Sequence, residues 1–239
     1  MVIYDGVDGV ALVFDDGPNP KLTPKILEVL HTKGVVANFF LIGKKAEQSP
    51  EVVQQIAENG HEIGNHTYTH KHLTQVLQDG GKQAVLAEIK DGAQAIEAII
   101  GADNVTFLRP PYLDFDESVA DIAESLYGEK IIMSGTASGD YGWGVNHTWS
   151  EDDVSAIQEK AQIIFEDWAT APTGTIIGLH DSSEHNLPGN ASYDTWMNRA
   201  LPTLEALPHI IDALRQRGLK FYRLRDMELV KEPLRTNKQ

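Results

Sequence analysis

Short apolar runs alternate with longer segments of helical period along most of the chain. This order is typical of repeated β-strand and α-helix units, which build a parallel sheet covered by helices. Several runs are nearly continuous in apolar residues, as strands buried on both faces require. The predicted strands are Val10–Phe14, Val35–Ile42, His61–Gly64, Val105–Leu108, Lys130–Met133, Thr175–Leu179 and Leu219–Tyr222. Seven such strands predict an incomplete barrel.

The segments between these strands carry the helical pattern. The predicted helices are Thr23–Thr32, Glu51–Asn59, Lys82–Ile100, Glu117–Leu126, Asp152–Trp168 and Leu201–Arg217. A glycine follows five of them, and glycine readily adopts the left-handed backbone that ends many helices. A chain of 239 residues lies within the size range of one α/β barrel. We therefore expect a single domain over residues 1–239.

The acidic balance of the chain excludes one class of partner. The formal net charge is -15, whereas nucleic-acid binding needs clustered Lys and Arg. We therefore expect neither nucleic acid nor an anionic membrane as a ligand. Cysteine is absent, so any metal must be bound by histidines and carboxylates. No apolar run is long enough to insert across a bilayer, and no secretion signal is visible.

Two adjacent carboxylates, Asp15 and Asp16, follow the first predicted strand. Active sites of parallel α/β folds assemble where the strands end. An acidic turn that caps the next helix would have the same sequence. Adjacent side chains diverge in direction, so we expect only Asp16 to bind a metal, which leaves Asp15 free to act as a base.

A histidine pair, His66 and His70, follows the third predicted strand. Residues separated by one helical turn point the same way and can share a metal. Such a pair also arises by chance on solvated helices. His72 is a further candidate ligand, although its helical phase differs. With Asp16 the pair supplies three ligands and leaves positions open for water and substrate, as in catalytic zinc sites.

Two more polar clusters follow predicted strands. Arg109 comes after Val105–Leu108, and His180 comes after Thr175–Leu179. Arg109 can orient a carboxylate through paired N–H donors, or it can form an ordinary surface ion pair. His180 can equally be a histidine at the rim of the fold. Four polar clusters at four strand ends favour one shared site.

Together these motifs resemble the polysaccharide deacetylases of the NodB-homology type, carbohydrate esterase family 4. The sequences FDDGP, HTYTH, RPPY and LHD occur in that family's order, between about Val10 and Tyr222. The resemblance implies a distorted (β/α)7-type barrel, which is an incomplete TIM-like barrel. It also implies one divalent metal, most often zinc, with cobalt, nickel or manganese as alternatives. The implied ligands are Asp16, His66 and His70.

The resemblance implies a role for each remaining cluster. Asp15 would be the general base, and Arg109 would hold it in place. His180 would be the general acid that protonates the leaving group. A backbone N–H near Tyr112 would help to stabilise the oxyanion.

The fourth and fifth family motifs differ in this chain. The fourth motif normally has an aspartate directly before a tryptophan, but Gly142 precedes Trp143 here. Asp140 and Asp181 are the candidates for the carboxylate that would orient the acid histidine.

In the fifth motif, Gly178 stands where the family has leucine. We therefore expect Leu179 or Ile177 to line the acetyl pocket, with Trp143 as its second wall. The loop that contains Trp196 offers a further aromatic side chain that could stack on sugar rings.

The function implied by the family is hydrolysis of N-acetyl groups on N-acetylglucosamine units. Chitin, chitooligosaccharides and peptidoglycan are the expected substrates, and acetate is the product. An esterase that removes O-acetyl groups from xylan is the alternative, because both reactions use the same machinery. A carbohydrate-binding relative without catalysis is a third possibility. The family's substrates imply a secreted or cell-envelope location.

Overall fold

The computed structural model of the chain describes residues 7–128, 130–132, 153–182 and 200–227. The strands are β1 (Gly9–Gly17), β2 (Asn38–Leu41), β3 (Glu62–Asn65), β4 (Ile176–His180) and β5 (Lys220–Phe221). The helices are α1 (Thr23–Lys33), α2 (Gly43–Ala46), α3 (Pro50–Glu58), α4 (Leu73–Ile100), α5 (Glu117–Tyr127), α6 (Val154–Trp168) and α7 (Leu201–Gln216). Helices separate the strands as the sequence predicts, but in the described residues α4, α5 and α6 follow one another where strands were predicted at Val105–Leu108 and Lys130–Met133.

The described strands form one parallel sheet in the order β3-β2-β1-β4, and β5 pairs with the first residues of β1. A parallel sheet covered by helices confirms the predicted α/β class. Within residues 7–128 and 130–132, the sheet continues beyond β3 only as single bridges, from Asn65 to Leu108 and from Leu108 to Ile131. The predicted strand before Arg109 is therefore too long. Its pairing with β3 lies at Phe107–Arg109, where Asn65 N–H donates to the Phe107 carbonyl and Arg109 N–H to the Asn65 carbonyl. Pro110 and Pro111 lack the N–H groups that would extend this pairing past Arg109.

Side chains of β1 alternate between two apolar clusters. Leu12 and Phe14 pack in the larger cluster, which includes residues of the surrounding helices. Ala11 and Val13 face the smaller cluster on the other side of the sheet. Burial on both faces explains why this run is apolar at successive positions. The same alternation directs Asp15, two residues after Val13, to the face of the smaller cluster.

Helix boundaries agree with the prediction except around α4. Gly81 has a non-helical backbone with φ of 69° and divides α4 into two helical segments; the second is the predicted helix Lys82–Ile100, and the first, which begins at Leu73, was not predicted. The short helix α2 was not predicted, since four residues show no helical period. The helices α1, α4 and α5 end at Gly34, Gly101 and Gly128, all with positive φ, as predicted.

Among the described residues, every helix is too short or too polar to cross a bilayer. The single domain over residues 1–239 stays a prediction.

Candidate active site

A cavity of about 160 Å³ opens at the carboxyl ends of β1, β3 and β4. The four polar clusters predicted from the sequence meet here. The lining residues are Asp15, Asp16, His66, His70, Arg109, Pro110, Tyr112, Leu113, Gly178 and His180. Parallel strands end at the same edge of a sheet, so side chains far apart in sequence converge there.

A bulge at the end of β1 brings both aspartates into this cavity. Asp15 pairs with Phe40 and Gly17 pairs with Leu41, so Asp16 is an extra residue in the register. Its φ of 74° lies in the left-handed region that side chains other than glycine rarely adopt. A bulge re-aims the side chain of the extra residue. Both aspartates line the same cavity, but Asp16 belongs to the metal-ligating set and Asp15 does not.

Asp16, His66 and His70 form a compact set of metal-ligating atoms. Asp16 Oδ1 lies 3.4 Å from His66 Nε2 and 3.0 Å from His70 Nε2, and the two histidine nitrogens are 3.2 Å apart. Zinc bonds of about 2.0–2.1 Å would place neighbouring ligand atoms of a tetrahedron roughly 3.3 Å apart. All three side chains are buried. The donor set therefore fits a divalent cation.

The two histidines converge through a loop rather than a helix. Residues 66–72 are not helical, and Thr67 and His70 have φ of 65° and 60°. Backbone bonds from Gly43 N–H to the Thr67 carbonyl and from Tyr68 N–H to the Glu88 carbonyl hold this loop. The predicted single helical turn is therefore wrong. Tertiary contacts set the direction of the side chains instead.

A backbone carbonyl fixes the tautomer of His66. Its Nδ1 lies 2.6 Å from the carbonyl oxygen of Arg109, so Nδ1 must donate a hydrogen. With its hydrogen on Nδ1, the imidazole can present a lone pair at Nε2, the atom that faces Asp16 and His70. A histidine oriented in this way is typical of metal sites.

The Asp16 carboxyl is kept ionised by its neighbours. Burial alone would raise the pKa of Asp16, but the charge and the hydrogen bond of His70 hold it well below its usual range. An ionised carboxylate is the form that binds a cation.

Asp15 is bound on one side only. Arg109 Nε donates to Asp15 Oδ2 at 2.7 Å, and both residues are buried. Asp15 Oδ1 is also buried, and it has no hydrogen-bond partner in the part of the chain that the structure describes. An unpaired buried oxygen is unfavourable, and such an atom is common where a substrate or water must bind.

His180 lies beside Asp15 in the adjacent strand. The two residues are register partners in the pairing of β1 with β4. Because strand side chains alternate, Gly178 and His180 line the cavity, whereas Ile177 and Leu179 are buried in the larger core cluster. The prediction that Leu179 or Ile177 lines the pocket is therefore wrong.

Asp181 is buried away from the cavity lining. Its Oδ2 accepts a hydrogen bond of 2.5 Å from Thr23 Oγ1, and its carboxylate lies against Gly17. Burial raises the pKa of Asp181 to about 7, although the Thr23 bond and the charge of Lys45 oppose this rise. The described contacts of Asp181 do not support it as the partner of His180. Asp140, Trp143 and Trp196 lie outside the described residues.

Tyr112 lies at the mouth of the cavity, 39% exposed and with φ of 58°. Its ring stacks on His72 at 3.8 Å and contacts His70 edge-on at 4.8 Å. His72 Nδ1 is 3.5 Å from Asp114 Oδ2. His72 therefore supports Tyr112 and is not part of the metal-ligating set. No sequence pattern predicts this stack.

Comparisons with known proteins agree with this geometry. Residues 5–129 match the family model described as polysaccharide deacetylase. A chitooligosaccharide deacetylase from Sinorhizobium fredii (strain NBRC 101917 / NGR234) is 31% identical over 216 residues, covering 89% of this chain and 88% of that protein.

Two solved structures are also similar. A peptidoglycan N-acetylglucosamine deacetylase is 27% identical, with a TM-score of 0.72 over 94% of this chain and 89% of that chain. The Xyl-CE4 domain of a multidomain xylanase, from the hindgut metagenome of Trinervitermes trinervoides, is 26% identical. Its TM-score is 0.68 over 93% of this chain and 90% of that chain.

Proposed function

Because the chain belongs to the polysaccharide deacetylase family, we propose that it hydrolyses N-acetyl groups on N-acetylglucosamine units and releases acetate. Chitooligosaccharides and peptidoglycan are the proposed substrates, since the similar proteins act on these two classes. One observation carries the proposal: a buried Asp-His-His set lies in the same cavity as the Asp15–Arg109 pair. We also propose that the chain meets these polymers after secretion or in the cell envelope.

Asp16, His66 and His70 would hold one divalent cation, and zinc suits two imidazoles and one carboxylate. Cobalt, nickel and manganese are alternatives. When bound, such a cation lowers the pKa of a water molecule and polarises a carbonyl oxygen. Three protein ligands would leave coordination positions for water and substrate, as in catalytic zinc sites.

Asp15 is the proposed general base. Its Oδ1 accepts a proton from the water as the water oxygen attacks the acetyl carbon. Arg109 binds Oδ2 and so aims Oδ1 into the cavity. His180, on the adjacent strand, donates a proton to the amine nitrogen as the carbon–nitrogen bond breaks. The backbone N–H of Tyr112 is the proposed donor to the oxyanion.

Removal of O-acetyl groups from xylan is the second candidate. The observation that favours it is the similarity to a domain of a multidomain xylanase. Ester hydrolysis needs the same base and oxyanion donors as amide hydrolysis. An alkoxide leaves more readily than an amide anion, so the ester reaction needs protonation by the general acid less. The residues of the described site serve both reactions.

Acetate release from chitooligosaccharides and from acetylated xylan, measured in parallel, tests the proposal. Each assay uses metal-stripped protein and the same protein after zinc is restored. Zinc-dependent acetate from chitooligosaccharides supports the proposed function, and acetate from xylan alone supports the second candidate. No acetate from either polymer, combined with retained binding to one of them, would instead indicate a carbohydrate-binding protein without catalysis.

A further inference from the structure

A buried lysine, Lys45, donates a hydrogen bond to the backbone of the bulge at Asp16. Lys45 lies in α2, directly after β2, and is only 3% exposed. Its Nζ donates to the backbone carbonyl of Asp16 at 2.8 Å and to Ser182 Oγ at 2.9 Å. A single side chain thus links the end of β1 to the residues that follow β4.

Lysine is almost never fully buried unless it is paired. Here the carboxylate of Asp181 is buried close enough for the charge of Lys45 to act on it. Thr23 anchors Asp181 from α1. Lys45 therefore belongs to a buried polar cluster with Ser182, Asp181 and Thr23. The proposed mechanism uses none of these four side chains.

The bond to Asp16 acts at the strained point of the site. A residue other than glycine keeps a left-handed backbone only when its surroundings hold it there. The Asp16 carbonyl receives a charge-assisted hydrogen bond, which is stronger than a neutral one. Fixing this carbonyl fixes the peptide that follows Asp16. It thereby keeps the carboxylate directed at His66 and His70.

We propose that Lys45 is a positioning residue: it holds Asp16 in the bulge and so sets the affinity of the Asp16, His66 and His70 site for a divalent cation. This inference rests on the proposed function, because it assumes that these three residues bind a metal. Lys45 touches neither substrate nor metal in this scheme, and it acts only through Asp16.

The test is zinc affinity, measured by competition with a chelator, for the wild type and for Lys45→Met. Methionine is unbranched and keeps most of the length of the side chain but removes the charge and the donor. We expect zinc to bind about 10–100-fold more weakly, as for other losses of support around a metal ligand. Lys44→Met is the matched control, because it removes the same charge from the same helix. It should bind zinc like the wild type.

Loss of general stability must be separated from loss of positioning. Ile164→Val trims a fully buried residue of α6 and should lower the thermal midpoint without weakening zinc binding. If Lys45→Met does not fold, Lys45→Gln takes its place, since its amide is compatible with buried polar surroundings but is shorter than lysine and uncharged, and so cannot replace the charge-assisted bond to the Asp16 carbonyl. We expect Lys45→Gln to bind zinc more weakly than Lys44→Gln.

A folded Lys45 variant with the zinc affinity of its Lys44 control would overturn this inference and leave the proposed function standing. A wild type that binds none of zinc, cobalt, nickel and manganese would overturn both. The two failures are therefore distinguishable in one experiment.

Discussion

Arg109 Nε and Asp15 Oδ2 form a buried ion pair of 2.7 Å that joins the end of β1 to the segment after Leu108. The arginine occupies one carboxylate oxygen, and the other lines the cavity without a described partner. This asymmetry separates two tasks within one side chain. One oxygen fixes the orientation, and the other is available for proton transfer.

Asp15→Asn tests the role of Asp15 in proton transfer. Asparagine keeps the shape of the side chain but cannot act as a base at neutral pH, so kcat should fall by about 10²–10⁴-fold. Zinc affinity should stay at the wild-type level, because Asp15 is not in the metal-ligating set. Acetate release at saturating zinc measures the first effect, and Asp79→Asn on the exposed face of α4 is the control. Full activity in Asp15→Asn would exclude this residue as the base.

Arg109→Met tests the role of the ion pair in orienting Asp15. It leaves a buried carboxylate without its countercharge, which costs about 3–5 kcal/mol of unfolding free energy. Arg109→Lys restores the charge but not the planar geometry, so it should recover stability better than activity. Urea unfolding of the zinc-free proteins, with kcat measured beside it, separates these effects. If Arg109→Met is as stable as the wild type, the ion pair does not hold Asp15 in solution.

The meeting of the four clusters could be predicted from sequence for a simple physical reason. Each cluster follows an apolar run, and the carboxyl ends of parallel strands share one edge of the sheet. That rule alone is enough to predict that Asp15 and His180 lie close together. The structure makes them register partners.

The directions of the side chains could not be predicted in the same way. The bulge at Asp16 and the left-handed Thr67 and His70 depend on contacts from distant elements, such as Lys45 and Glu88. Local sequence carries no signal for such contacts. Leu179 illustrates a second limit of the sequence, because a difference of one residue moves a strand side chain to the opposite face.

His61 should make the fold sensitive to acid. Burial lowers the pKa of His61 from its ordinary 6.5 to about 4, and its Nδ1 accepts a hydrogen bond from Ala37 N–H. The unfolded chain binds a proton between these pH values and the folded chain does not. Stability from this group is therefore complete above pH 6.5 and is lost as the pH falls toward 4. The difference corresponds to about 3 kcal/mol.

His61→Asn keeps an acceptor for Ala37 but does not titrate in this window. Its unfolding free energy should therefore fall less than that of the wild type between pH 6.5 and pH 4, as measured by urea unfolding. His209→Asn, at an exposed position of α7, is the control and should retain the wild-type slope. Equal slopes for all three proteins would show that His61 is protonated in the folded chain.

Gly92 allows α4 to approach the loop that carries the two histidines. A Cβ at this position would lie 2.4 Å from Asn65 Oδ1 and 2.7 Å from the carbonyl carbon of Thr67. Alanine normally stabilises a helix by about 1 kcal/mol relative to glycine. Gly92→Ala should instead lower the thermal midpoint and weaken zinc binding, because α4 or the Thr67 backbone must move. Gln94→Ala, at an exposed position of the same helix, should do neither. The direction of the change in thermal midpoint therefore decides between the two outcomes. A more stable Gly92→Ala protein with wild-type zinc affinity would mean that close approach of α4 does not set the direction of His66 and His70.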